Sequence, residues 1–252
     1  MRNQLAGLHT RQARHAARNR WIQWVSRNGL VLLLAFSLVV VVLPWFAPVF
    51  MDWGWDAAGH VIYRLYSFLC HQLPQRSFFL FGEQSSYSLQ ELQEVGVNTS
   101  DVLELRAFVG TPAMGYKVAW SDRMVSLYSS IPLAGLMLKV LQKRIRPLPL
   151  WGLALLCLPI IVDGMSHLIS DLQGVDQGFR AANAWLVSLT GGVFPESFYA
   201  GAAVGSFNSW MRLISGVLFG VGLAWYVLPA IDTSFSAASA ARGAKPAGEG
   251  NR

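Results

Sequence analysis

Cysteine is almost missing from this chain: the only two are Cys70 and Cys157. They give neither a disulfide framework nor a C-x-x-C motif. Charge is scarce as well. Only 13% of the residues are charged against 53% hydrophobic, too little polar material for an ordinary soluble domain. Acid is wholly absent from the first 51 residues, which hold six arginines; Asp52 is the first carboxylate. A basic, acid-free flank before a long apolar run reads as a cytoplasmic anchor. Nucleic-acid binding is not expected, because the flank abuts a membrane span and no binding fold accompanies it. No signal peptide is expected either, since the apolar run is too long and no A-x-A site follows. There is no internal repeat, no H-E-x-x-H, no G-x-S-x-G and no Walker loop, so the common zinc-protease, serine-hydrolase and nucleotide-binding readings fall away.

What the chain does have is apolar length. Residues 29–51, 122–140, 148–169 and 207–228 are each long enough to cross a bilayer. The expected fold is all-α: a polytopic membrane helix bundle of about four spans, with two amphipathic interfacial helices and a small extracytoplasmic segment. Residues 1–27 form a basic cytoplasmic tail, with an interfacial helix near Trp21 and Trp24; 28–231 form one membrane domain; 232–252 form a disordered Ala/Ser/Gly tail. Pro44 and Pro48 bend or end the first span, Trp45, Trp53 and Trp55 mark its far interface, and Pro229 ends the fourth span. Lys139, Lys143, Arg144 and Arg146 follow the second span with no acid among them. That loop belongs inside, together with both termini, and the expected location is a bacterial inner membrane.

The first amphipathic helix is expected over Asp56–His71. His60, Arg64, Ser67 and His71 form a polar stripe, and Val61, Ile62, Leu65, Phe68 and Leu69 lie opposite. It is too short to span and should lie in the outer interface. Phe78–Phe81 reads as an apolar plug. Gly82–Tyr116 is polar, with a capping box at Ser88-Leu-Gln-Glu91 and turns at Gly96, Gly110, Pro112 and Gly115. The second amphipathic helix, Gly178–Thr190, sets Arg180, Asn183 and Thr190 against Phe179, Trp185, Leu186 and Leu189, and Gly191-Gly192 stops it.

The third span ends in the chain's most informative stretch. Asp163, His167 and Asp171 follow one another at intervals of four residues and share a helix face, with Ser166 and Ser170 beside them and Met165, Leu168 and Ile169 opposite. An ionisable group at membrane depth costs roughly 2.5–3.5 kcal/mol, so this face should meet protein or a wet cavity. With the spans oriented as above, His71, Asp122 with Arg123, and Asn208, Ser209 and Arg212 fall at the same outer depth. Four segments then share one polar site. Asp163, His167, His71 and Asp171 could ligate one divalent transition metal, because imidazole and carboxylate suit Zn, Mn or Fe. The same acids could instead tie helices together, pairing with Arg123 and Arg212, which should each have a carboxylate from another span nearby. Arg76, Arg123, Arg180 and Arg212 are the candidate anion-binding residues, and lipid headgroup phosphate is the plainest anion for them. Cys70, His71, Asp122 and Asp171 are the catalytic candidates, although Cys70 reads more readily as a buried inert thiol and Cys157 as packing. His167-x-x-x-Asp171 and Lys117…Arg123 echo the last and first motifs of lipid phosphatases, but no P-S-G-H lies between them.

Cys70-His-Gln-Leu-Pro-Gln-Arg-Ser-Phe78, Ser121-Asp-Arg-Met-Val-Ser-Leu-Tyr128, Asp163-Gly164 and Ser206-Phe-Asn-Ser-Trp-Met-Arg212 with Gly216 resemble a family of bacterial integral membrane proteins catalogued as domain of unknown function 2085. The resemblance covers about residues 60–228 and implies a multi-span fold with no established activity. Members carry Cys-x-Arg-Cys where this chain has Ser121-Asp-Arg-Met124, and Gln where it has His167. Two potential ligands of the thiolate-rich site that the family pattern implies are thus lost and one is gained, which counts against a thiolate site and leaves an oxygen and nitrogen site open.

Two functions remain open from sequence. One is a metal-assisted hydrolase or transferase acting on a lipid-linked or phosphorylated substrate at the outer face. The other is a non-catalytic lipid binder, carrier or membrane-complex assembly protein, in which arginines grip headgroups and the acids balance them. Transport ranks lower without repeated halves.

Overall fold

The computed structural model describes residues 21, 24, 25, 28–141 and 146–243, with the backbone alone for 236 and 238–243. Most of the basic tail, Lys143, Arg144 and residues 244–252 lie outside the described residues. The chain is an all-α membrane bundle carrying a small extramembrane unit.

Helix α1 (Asn28–Asp52) opens the bundle and is long and apolar enough to span. Pro44, which has no N–H for the helix ladder, is absorbed in a 3-10 turn over Leu43–Trp45, and helix resumes to Asp52. Helix α2 (Asp56–Tyr66) folds back on α1, where Gly59 permits close approach: a Cβ there would lie 2.6 Å from Met51 Sδ. Ile62, Tyr63 and Tyr66 pack into a core with Met51, Val118 and Trp120. With 11 residues, α2 is about 16 Å long, roughly half the thickness of a hydrocarbon core. It stops short of the expected His71. Its expected apolar face also divides, Ile62 turning inward while Val61, Leu65, Phe68 and Leu69 stay exposed, Phe68 by 87%. That exposed edge fits a helix lying at an interface.

The extramembrane unit contains a sheet that sequence patterning did not reveal. A 3-10 turn at Pro74–Arg76 leads into β1 (Ser77–Leu80), the stretch read as a plug. Helices α3 (Leu89–Glu94) and α4 (Val102–Ala107) follow, α3 opened by the expected Ser88/Glu91 capping box and α4 capped by Asp101. Strands β2 (Gly110–Thr111) and β3 (Gly115–Ser121) complete a three-stranded antiparallel sheet in the order β1-β3-β2. Ser77 pairs with Ser121. This pairing, followed by a register shift before Phe79, brings Arg76, just before β1, and Asp122, just after β3, to the same end of the sheet.

Helix α5 (Asp122–Leu141) grows directly from β3, and α6 (Leu150–Asp171) is the third span. The second amphipathic helix is broken in two: α7 (Phe179–Ala182) and α8 (Ala184–Thr190) meet at Asn183, whose left-handed backbone (φ 45°) ends one and starts the other. Gly191 ends α8 in the same conformation, as expected. After α9 (Glu196–Tyr199), helix α10 (Phe207–Gly243) is the fourth span. It runs through Pro229 to Gly243, so Pro229 is not its end and 232–243 is helical rather than disordered.

Helix α10 packs on α5 through small residues. Gly216 and Gly220 face Ser126 and Ser130, a G-x-x-x-G against S-x-x-x-S arrangement that lets backbones approach. Toward the opposite end, Leu30, Ala134, Leu138, Ala224 and Leu228 join α1 to the same pair. Leu136, Val140, Leu155, Ile161 and Leu168 point outward, forming the apolar belt expected of lipid-facing surface.

Candidate functional site

The polar faces of α5, α6 and α10 converge with α7 and the start of β1. Helix spacing puts Asp163, His167 and Ser170 on the buried side of α6, while Met165, Leu168 and Ile169 are exposed, as the sequence face requires. Asp163 lies between two guanidiniums. Arg123 Nη2 donates to its Oδ2 at 2.6 Å, and Arg180 Nη1 stands 2.9 Å from Oδ1. His167 Nε2 is 3.8 Å from the same Oδ1.

Arg180 comes from the short α7. Gly178 lets this segment touch α6, since a Cβ there would fall 2.1 Å from the Ser170 carbonyl oxygen. The Arg180 amide then donates to Ser170 Oγ at 3.1 Å. Its guanidinium donates to Asn208 Oδ1 from Nε at 3.0 Å and from Nη2 at 2.9 Å, and to Ser166 Oγ from Nη1 at 2.5 Å. Burial lowers its pKa and Asp163 opposes that; as a guanidinium it stays charged.

Asp122 and Arg212 form the most deeply buried pair, 0% and 2% exposed. Arg212 Nε donates to Asp122 Oδ1 at 2.8 Å and Nη2 to Oδ2 at 2.7 Å, the bidentate geometry that suits a carboxylate. Ser209 Oγ and the Arg123 amide donate to the same carboxylate, at 2.9 and 2.7 Å. Nearer the extramembrane unit, Arg76 Nη2 bridges Asp171 at 2.9 Å and Asp176 at 3.1 Å. Each arginine expected to meet a carboxylate from another span therefore has one: Asp163 for Arg123 and Asp122 for Arg212.

The metal set does not assemble. Among the described residues no three His, Cys, Asp or Glu side chains come together to hold a metal. The reason is geometric and electrostatic. His71 lies beyond the end of α2 and is exposed, Asp163 is engaged by two guanidiniums and Asp171 by a third. The catalytic candidates are likewise dispersed or occupied. Cys70 is buried in the extramembrane unit, its Sγ accepting from the amides of Gln72 at 3.3 Å and Ser121 at 3.4 Å. Cys157 is half-buried within α6.

Lys117 lies in the extramembrane unit too, so the phosphatase echo does not form a site. It is 0% exposed and donates to the carbonyls of Gln72 at 2.7 Å and Arg106 at 2.9 Å. Burial pushes its pKa down to about 7, and a neutral amine still has two hydrogens for those two carbonyls. The sequence pattern does not single out Asp176, the break at Asn183 or the pairing of Ser166 with Arg180. Asp176 sits in a loop with no periodicity to mark it. The left-handed turn at Asn183 was hidden within an apparently continuous helix. Ser166 was noted for its face, but not as a partner of Arg180.

A crevice of about 390 Å³ reaches this network, walled by Pro159, Val162, Phe179, Trp185 and Phe207 and carrying Asp163, Arg180 and Asn183 among its polar lining. Val162, Phe179 and Trp185 are each more than half exposed, so its mouth lies on apolar outer surface.

The chain is similar to one curated protein, "Uncharacterized protein MJ1492" of the archaeon Methanocaldococcus jannaschii. The two are 24% identical over 204 residues, 79% of this chain and 88% of the relative. That relative is archaeal, so the likeness gives no support to a bacterial source. No protein-family model matches the chain, and no solved structure matches it.

Proposed function

We propose that this protein binds an anionic membrane lipid without chemically changing it, using the buried arginine network as the headgroup site and the apolar-walled crevice for adjoining chain. One observation carries the reading: Asp163 is shared between two arginines. Among the described residues the inner set of Arg123, Arg180 and Arg212 pairs with Asp122 and Asp163, three cations against two anions, while Arg76 with Asp171 and Asp176 carries the opposite imbalance further out, so the positive excess is local to the inner set. That local excess beside an apolar crevice suits an anion with an apolar body. Arg123 Nε and Arg212 Nη1 also have no hydrogen-bond partner among the described residues, which supports spare donor capacity. The acids of the network are engaged in holding arginines, which favours binding over hydrolysis.

The test uses Arg123→Gln. Two arginines would then face two aspartates, so the variant loses the excess charge without stranding an acid. Lipid co-purifying with the parent should be enriched in anionic species over the bulk membrane, and the variant should lose about tenfold or more of that enrichment, the worth of one charge-assisted contact. Equal enrichment in a variant of parental thermal stability overturns the reading.

We also infer that the network faces the outside, with both termini cytoplasmic. The acid-free run before Asp52 and the basic residues Lys139 and Arg146 beside the second and third spans support this. Gln90→Cys should react with an impermeant thiol reagent applied from outside and Arg144→Cys should not; the reverse pattern overturns the orientation.

A further inference from the structure

We infer that the head group recognised where this crevice meets the arginine network carries a hydroxyl on an anionic phosphodiester, as in a glycerol head, and not an ethanolamine or choline head; this rests on the anionic-lipid reading above. The observation is Asn183. It lines the crevice, is 0% exposed and occupies the left-handed turn between α7 and α8. Its amide nitrogen donates to two backbone carbonyls, those of Arg180 at 2.9 Å and Tyr199 at 2.7 Å. Those contacts use both hydrogens and fix which end of the amide is which. The other end, Oδ1, is a buried acceptor with no partner among the described residues.

Two polar side chains of the same cluster are engaged elsewhere. Ser166 Oγ donates to the Asp163 carbonyl at 2.9 Å, and Asn208 Nδ2 donates to the carbonyls of Arg180 at 2.7 Å and Gly201 at 2.8 Å. A ligand that satisfies Asn183 Oδ1 must bring its own donor. A phosphodiester at neutral pH has none. An ammonium head would supply N–H groups, but it places a cation beside Arg180 and Arg123, two guanidiniums that share the single acid Asp163. A choline head supplies no donor at all. An alcohol supplies an O–H and leaves the phosphate charge for the arginines, so a hydroxylated anionic head is the class that meets both demands.

A site built to hydrogen-bond an alcohol discriminates against the analogue that lacks it. The test compares three lipids of identical acyl chains on the full-length protein, with retention read by native mass spectrometry from the same detergent. Phosphatidylglycerol has the charge and the hydroxyls, phosphatidylethanol has the charge alone, and phosphatidylcholine has neither. Phosphatidylglycerol should be retained about tenfold more than phosphatidylethanol, and phosphatidylethanol still more than phosphatidylcholine. Equal retention of the two anionic lipids, both above phosphatidylcholine, overturns the hydroxyl inference and leaves the anionic-lipid reading standing. Retention of all three alike overturns that reading and the inference with it.

Discussion

Asp122→Asn should lower the free energy of unfolding by about 3–5 kcal/mol, the usual cost of removing one member of a buried ion pair. The size follows from what is left behind. Arg212 is 2% exposed, and all three of its hydrogen bonds to a carboxylate run to Asp122. An asparagine offers one oxygen where three side-chain and backbone groups now compete for two, and it leaves the guanidinium uncompensated. Asp122→Asn combined with Arg212→Gln should recover more than half of the loss, because it removes the stranded charge as well. Asp171→Asn is the contrast. Its partner Arg76 retains Asp176 at 3.1 Å, and Asp171 is 24% exposed at the side chain, so screening reduces the expected cost to less than about 1 kcal/mol. Denaturant unfolding in mixed micelles measures all three. Equal losses for Asp122→Asn and Asp171→Asn would show that burial does not set the energetics of this network.

The same network marks how far sequence reasoning reached. The spans were legible because twenty or so apolar residues leave a chain few other options. The faces of α6 and α10 were legible because ionisable groups at helical spacing must turn away from lipid. What could not be read was which partner each charge would take. A face with two acids and a histidine is compatible with a metal or with arginines, and that choice depends on distances between segments. The extramembrane sheet escaped for a different reason. In β3, Val118, Ala119 and Trp120 are all buried, so there is no alternation to announce a strand. Yet that sheet aligns Ser77 with Ser121 and so brings Arg76 and Asp122 to one end of the bundle. The break at Asn183 was illegible because the residues on either side keep a helical pattern, while the turn itself is held by contacts to Arg180 and Tyr199.

Gly220→Leu should leave no folded protein, because the site depends on how closely α5 and α10 approach. A Cβ at Gly220 would stand 2.0 Å from Ser130 Oγ and 2.4 Å from the backbone oxygen of Leu127. The serine can rotate away; the backbone cannot move without the helix. Gly220→Ala is the measurable form. Alanine gains about 1 kcal/mol in helix propensity over glycine, and overpacking typically costs 1–3 kcal/mol and occasionally more. The backbone clash places this site at the costly end, so a net loss of about 2 kcal/mol is expected. Adding Ser130→Gly should restore only part of it, since the Leu127 contact remains. Gly222→Ala supplies the control: its nearest neighbours are Leu156 Cβ at 3.0 Å and Cδ1 at 3.1 Å, so a shift of only a few tenths of an ångström is needed, and the gain in helix propensity should hold the net cost below about 0.5 kcal/mol. Gly216 ties this packing to the network. A Cβ there would lie 2.1 Å from Ser126 Oγ and 2.9 Å from the Arg123 carbonyl oxygen. Gly216→Ala should therefore both destabilise the bundle and shift Arg123 from Asp163, lowering anionic-lipid enrichment per folded molecule, whereas Gly220→Ala, one turn further from Arg123, should change stability more than enrichment. Equal effects of Gly220→Ala and Gly222→Ala on unfolding would mean that the close contact of α5 and α10 does not hold the bundle together.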